Sequence, residues 1–132
     1  MPRVLWPLCN DRPCIQVILF QAPGGQPLPR TLLADTGAGS RQIGFDLVLD
    51  ENDCLLCGGS PGIFKTLGGV YTGSFLVYDL RVSLLGLGFD HHLRVVGVPT
   101  VPAGFHGLAC FSFLNRFTYG NFGDPGQFGL EC

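Results

Sequence analysis

No stretch of this chain is apolar for long enough to cross a bilayer; the longest apolar runs, such as residues 15–20, fall far short of the ~20 residues a helical span needs. A membrane is therefore not an expected partner. The opening Met1-Pro2-Arg3-Val4-Leu5-Trp6-Pro7 also lacks the apolar core of a signal peptide, so a cytoplasmic location is expected. Charge is scarce too. Only 14% of the 132 residues are charged, the formal net charge is -2, and no basic cluster offers a grip on a phosphate backbone, which argues against nucleic acid. Internal repeats, low-complexity tracts and long helix-period stretches are all missing.

What is plentiful points to β structure. Hydrophobic residues make up 46% of the chain, and 20 glycines with 10 prolines cut it into short segments joined by turns, the pattern of an all-β domain. The length suits a single core and is too short for two full lobes. Residues 1–14, with three prolines, read as an N-terminal arm or one edge strand; residues 15–132 read as the domain proper. Residues 15–20 and 30–34 form two strands around the turn-forming Pro23-Gly24-Gly25-Gln26-Pro27. Residues 43–49 fit a strand or a short irregular helix. The acidic run 50–53 reads as a surface loop, and residues 58–62 as a turn cluster. From Phe75 the alternation is clean, with Leu76, Tyr78, Leu80, Val82 and Leu84 on one face and Val77, Asp79, Arg81 and Ser83 on the other. Gly86, Gly88 and the Asp90-His91-His92 group read as a turn before a strand over 93–99. Leu108, Phe111, Leu114 and Phe117, spaced by three, predict one short helix near the C-terminus, and residues 117–132 a terminal hairpin.

The six cysteines give a weak signal. Cys54 and Cys57 form a C-x-x-C that, with Cys9 and Cys14, could in principle hold zinc or act in redox chemistry. The C-x4-C spacing is loose for zinc and no βαβ context surrounds the pair, so a structural role and free thiols in a reducing cytosol are expected. His91, His92 and His106 lack a third ligand at suitable spacing. No metal or cofactor is expected.

One stretch asks for a special reason. Leu32-Leu33-Ala34 is an apolar strand that ends in Asp35-Thr36-Gly37-Ala38, and a carboxylate at the end of a buried strand is costly to desolvate. The residues 33–38 resemble the active-site motif of aspartic proteases, in the single short copy of the retropepsin-like (retroviral-type) branch. The order of strand, turn, strand and Asp-Thr-Gly upstream matches as well, and the pattern extends from residue 15 to about residue 117.

The resemblance implies a single-domain retropepsin-like acid protease fold with one short C-terminal helix, assembling as a homodimer. It implies that Asp35 is the catalytic carboxylate, that Thr36 ties the two active-site loops across the dimer axis, and that Gly37 lets the substrate backbone approach, with Ala38 completing the loop. Thr66, Leu67, Gly68, Gly69 and Val70 would form the flap that closes over an extended peptide or protein substrate. Since Ala38 offers no hydroxyl to the catalytic pair, the activity optimum should be less acidic than that of a pepsin. The chain also departs from the family pattern. Gly39 and Ser40 stand where acidic residues commonly hold substrate backbone, Cys110 stands where glycine is usual, and the tail is longer, so the dimer need not be sealed by interleaved termini. These departures leave open a second reading, a catalytically silent retropepsin-like fold serving as a peptide-binding or dimerisation module.

Overall fold

The computed structural model describes residues 2–40, 43–59, 61–67 and 71–132, and of 61–66 the backbone alone. Ten strands and two short helices are seen among them: β1 (Arg3–Pro7), β2 (Cys14–Phe20), β3 (Pro27–Ala34), β4 (Leu47–Asp50), α1 (Glu51–Leu56), β5 (Pro61–Leu67), β6 (Gly73–Leu84), β7 (Phe89–Val98), β8 (Gly107–Ala109), α2 (Phe111–Leu114), β9 (Thr118–Gly120) and β10 (Gln127–Glu131). The all-β expectation holds. Strands β2-β3-β8-β4-β7-β6 lie side by side in that order, and a pairing of β2 with β6 at Ile18 and Ser83 closes them into a six-stranded barrel. Strand β5 extends beyond the barrel as the outer partner of β6.

Strand alternation decides what fills the barrel. Ile15, Val17 and Leu19 of β2, Leu32 and Ala34 of β3, Leu47 and Leu49 of β4 and Leu80, Val82 and Leu84 of β6 point into one buried core. Each fully buried leucine or isoleucine there contributes about 2 kcal/mol. The residues between them pack outside the barrel into a second cluster: Leu33, Val48, Val77, Val96, Val98, Leu108 and Cys110. Strands covered on both faces read as unbroken apolar runs, which is why 32–34 and 47–49 show no alternation.

Several local expectations are corrected. The acidic run 50–53 is not a loop: Asp50 caps α1, its Oδ1 accepting the Asn52 N–H at 2.8 Å, and Glu51 and Asp53 fill the first turn. Asp53 is buried at 8% exposure, where Arg30 of β3 holds it in a two-pronged ion pair of 2.7 and 2.9 Å. Residues 43–46 are irregular and β4 starts only at Leu47. The turn before β7 is confined to residues 85–88, so Asp90, His91 and His92 stand in β7, opposite Ser83, Val82 and Arg81 of β6. Asp90 accepts two bonds from Arg81, and His92 Nδ1 lies 3.0 Å from Asp79. The helix expected from the three-residue spacing shrinks to one turn, because Gly107, Leu108 and Ala109 are strand β8. Phe113 and Leu114 are its fully buried residues, and Phe113 packs edge-on against Phe89 at 5.6 Å.

The termini build a separate three-stranded sheet, β1-β10-β9, within one chain. The arm is thus an edge strand, and the expected terminal hairpin is β9 with β10. Past β1 the chain reverses at Asn10 and Asp11, both with positive φ (51° and 59°), while Cys9 and Arg12 exchange backbone hydrogen bonds of 2.9 and 3.0 Å. This brings the Cα atoms of Cys9 and Cys14 to 6.1 Å, within bridging range, and the two are joined as a disulfide. The expectation of free thiols therefore fails for these two, and they supply no thiolates to Cys54 and Cys57. Such a bond is rare in the cytosol and persists in oxidising compartments. No helix among the described residues is long and apolar enough to cross a membrane.

Two substitutions test this account. Gly107 lies so close to β4 that a Cβ would come 2.1 Å from the Val48 carbonyl oxygen; Gly107→Ala should cost about 3 kcal/mol in urea unfolding. Asp53→Ala should cost about 2 kcal/mol, by leaving the half-buried Arg30 guanidinium without its counter-charge.

Candidate active site

Asp35 follows the last residue of β3 directly, and backbone bonds from three directions hold it in place. Its N–H donates to Ala109 O at 3.0 Å, the N–H of Ala34 before it donates to Pro13 O at 3.0 Å, and its own carbonyl accepts the Ala38 N–H at 3.1 Å. The Ala38 carbonyl in turn accepts the Phe111 N–H at 3.0 Å, so the loop is clamped to the start of α2. Within the loop, the Gly37 N–H donates to Asp35 Oδ1 at 3.0 Å. An Asx-type bond of this kind aims the carboxylate. Thr36 and Gly37 are exposed, and Asp35 and Ala38 half-buried.

This loop opens into a cavity of about 500 Å3. Its wall is mainly apolar, from Leu33, Ile43, Phe45, Val48, Leu67 and Leu108, and Asp35 is the one carboxylate among its described lining residues. Arg12, Tyr71, Pro102 and Cys110 also line it. Burial pushes the Tyr71 phenol above its ordinary range, with Cys110 and Asp35 adding to the shift, so it remains a neutral donor. Burial likewise pushes the Cys110 thiol up to about 12, helped by Asp35 and Asp46. Cys110, with 1% of its surface exposed, is a neutral part of the wall and not a nucleophile.

The sequence-derived site residues are brought together in part. Asp35, Gly37, Ala38 and Leu67 line one cavity, and Thr36 stands in the same loop. Thr66 and Leu67 lie at the end of β5, opposite Ser74 and Gly73 of β6; the rest of the expected flap, Gly68, Gly69 and Val70, lies outside the described residues. Gly39 has a φ of +75° and also lines the cavity. Arg12 and Tyr71 were not singled out by sequence reasoning. Arg12 reaches the cavity only because the disulfide-bounded turn folds back toward β3, and no local pattern signals that. His106 is tied to β3: its Nδ1 accepts the Thr31 N–H at 3.0 Å and its own N–H donates to Thr31 O at 2.8 Å. Among the described residues, no group of three His, Cys, Asp or Glu side chains is placed to hold a metal ion.

No family model, curated protein or solved structure matches this chain.

The four free cysteines test the geometry. Cys132 is exposed, Cys57 half-buried, and Cys54 and Cys110 are buried, both pushed up to about 12 by desolvation. A disulfide reagent at pH 8 should modify Cys132 quickly, Cys57 slowly, and the other two only on unfolding. Because folding raises both buried values from about 9, their contribution to stability is complete below pH 9 and fades as the pH rises toward about 12. The urea midpoint should fall over that window and stay flat on its acid side as far as these two groups are concerned.

Proposed function

We propose that this chain is one subunit of a homodimeric aspartic endopeptidase of the retropepsin-like kind. The observation that carries the reading is Asp35, held by the Gly37 N–H at the mouth of an apolar cavity in which the described residues supply no second carboxylate. A lone carboxylate in a cleft has no acid to work with. A second copy related by a twofold axis would bring Asp35 of the partner subunit beside the first, with the exposed Thr36 of each loop at the axis.

Two carboxylates at hydrogen-bond distance cannot both ionise cheaply, so they share one proton, and the titration belongs to the pair. The ionised member then takes a proton from a water molecule while the protonated member polarises the scissile carbonyl. Water attacks directly, and no acyl-enzyme forms. An extended peptide would lie between the 35–39 loop and the β5-β6 hairpin, pairing its backbone with strand edges and placing apolar side chains in the cavity. Because β1, β9 and β10 pair within the chain, the subunits in this reading do not exchange termini; β1 and β9 are the open edges of that sheet.

One observation favours a second reading, a peptide-binding or dimerisation module without turnover. The Cys110 side chain fills space in the cavity wall, where the resemblance has glycine. A single substitution separates the two. Asp35→Asn, which keeps the shape and the Gly37 bond, should lower kcat/KM on a peptide library by about 10^3-fold or more while leaving folding and dimerisation in sedimentation unchanged. Specific activity of the wild type should also fall on dilution as dimers dissociate. Equal behaviour of wild type and Asp35→Asn toward every peptide supports the binding module.

A further inference from the structure

Arg12 is a cation at the edge of the cavity with no carboxylate within ion-pair distance among the described residues. Its side chain is exposed, and its guanidinium carbon stands 5.8 Å from the centre of the Phe105 ring. Four other arginines engage acids within the chain, Arg3 with Glu131, Arg30 with Asp53, Arg81 with Asp90 and Arg116 with Asp46; Arg94, on β7, forms no ion pair among the described residues but does not line the cavity.

The position of Arg12 is fixed by more than chance. It closes the two-residue turn across from Cys9, the disulfide Cys9–Cys14 brackets the turn, and Pro13 after it restricts its backbone. The Pro13 carbonyl accepts the N–H of Ala34, the residue just before Asp35. The turn bearing the cation and the loop bearing the carboxylate are thus joined by one backbone bond. Asn10 of the turn lies close to Gly104, where a Cβ would come 3.1 Å from its Nδ2.

We propose that Arg12 is a specificity-determining residue that selects a glutamate or aspartate side chain in the bound peptide. This rests on the peptide-cleft reading above. The rest of the wall is mainly apolar and carries the acid Asp35, so Arg12 is the one cation among the described lining residues that an anionic side chain could meet there. A guanidinium fork donates two parallel bonds to a carboxylate and does not favour an amide of the same shape to the same degree. The preferred substrate would then combine bulky apolar residues around the scissile bond with one acidic residue at a fixed distance from it. The cystine serves as a positioning device for this contact.

The test uses acetylated, amidated octapeptides with apolar central residues and Glu, Gln or Lys at each flanking position in turn. The full-length wild type should cleave the Glu peptide at one position about fivefold to tenfold better than its Gln counterpart, and the ratio should shrink as salt is raised. Arg12→Gln should bring the ratio close to one, and Arg12→Glu should favour Lys at the same position. A wild-type ratio near one at every position, or a ratio that survives Arg12→Gln, overturns the proposal. Binding of fluorescein-labelled versions of these peptides to Asp35→Asn, read by fluorescence anisotropy, gives the ratio without turnover. If the wild type cleaves nothing but Asp35→Asn still binds Glu peptides preferentially through Arg12, the selectivity stands and the protease reading fails.

Discussion

Strand β8 can run between β3 and β4 only because its first residue has no side chain. At Gly107 the two backbones approach so closely that even a methyl group would collide with the Val48 carbonyl. That approach makes the barrel continuous: β8 pairs in parallel with β3 on one side and antiparallel with β4 on the other, over three residues. A parallel partner needs a long crossover, and residues 35–106 supply it. The same insertion sets Ala109 O opposite the Asp35 N–H and delivers Phe111 to the Ala38 carbonyl. The Asp35 loop is shaped less by its own residues than by a strand more than seventy positions away.

Electrostatics are distributed unevenly around this frame. The Arg30–Asp53 pair is largely removed from water and locks α1 to β3, so losing one partner strands the other. The ladder of Arg81 with Asp90 and Asp79 with His92, on the solvent side of β6 and β7, is freely screened and adds little. At the cavity the arrangement is different again: Asp35 and Arg12 occur without a paired countercharge in the described part of the chain, while Tyr71 and Cys110 are kept neutral by burial. Uncompensated charge beside apolar walls suits a surface awaiting a ligand more than one that serves stability.

Much of this was legible locally. The strands around Pro23 to Pro27, the alternation from Leu76 to Leu84, the terminal hairpin and the Asp35 turn each depend on residues close in sequence, where period and turn chemistry speak directly. What escaped depends on distant partners. Asp50 and Asp53 look like a solvated loop until Asp50 is seen to cap a helix and Asp53 to find Arg30, 23 positions earlier. Asp90, His91 and His92 look like a turn until β6 pairs with them residue by residue. Residues 107–109 are too few to show a period, and of the residues spaced by three Leu108 falls in this strand while Phe111 and Leu114 bound the one turn of α2. Arg12 needed both a cystine and a reversal of the chain to reach the cavity.

The pairing of β1 with β10 has a geometric consequence. The Cys132 N–H donates to Pro2 O at 3.1 Å, so β1 begins beside the point where β10 ends. A polypeptide with adjoining ends can be spliced into a surface loop of a host protein, or be joined end to end and reopened elsewhere, with little disturbance to either partner.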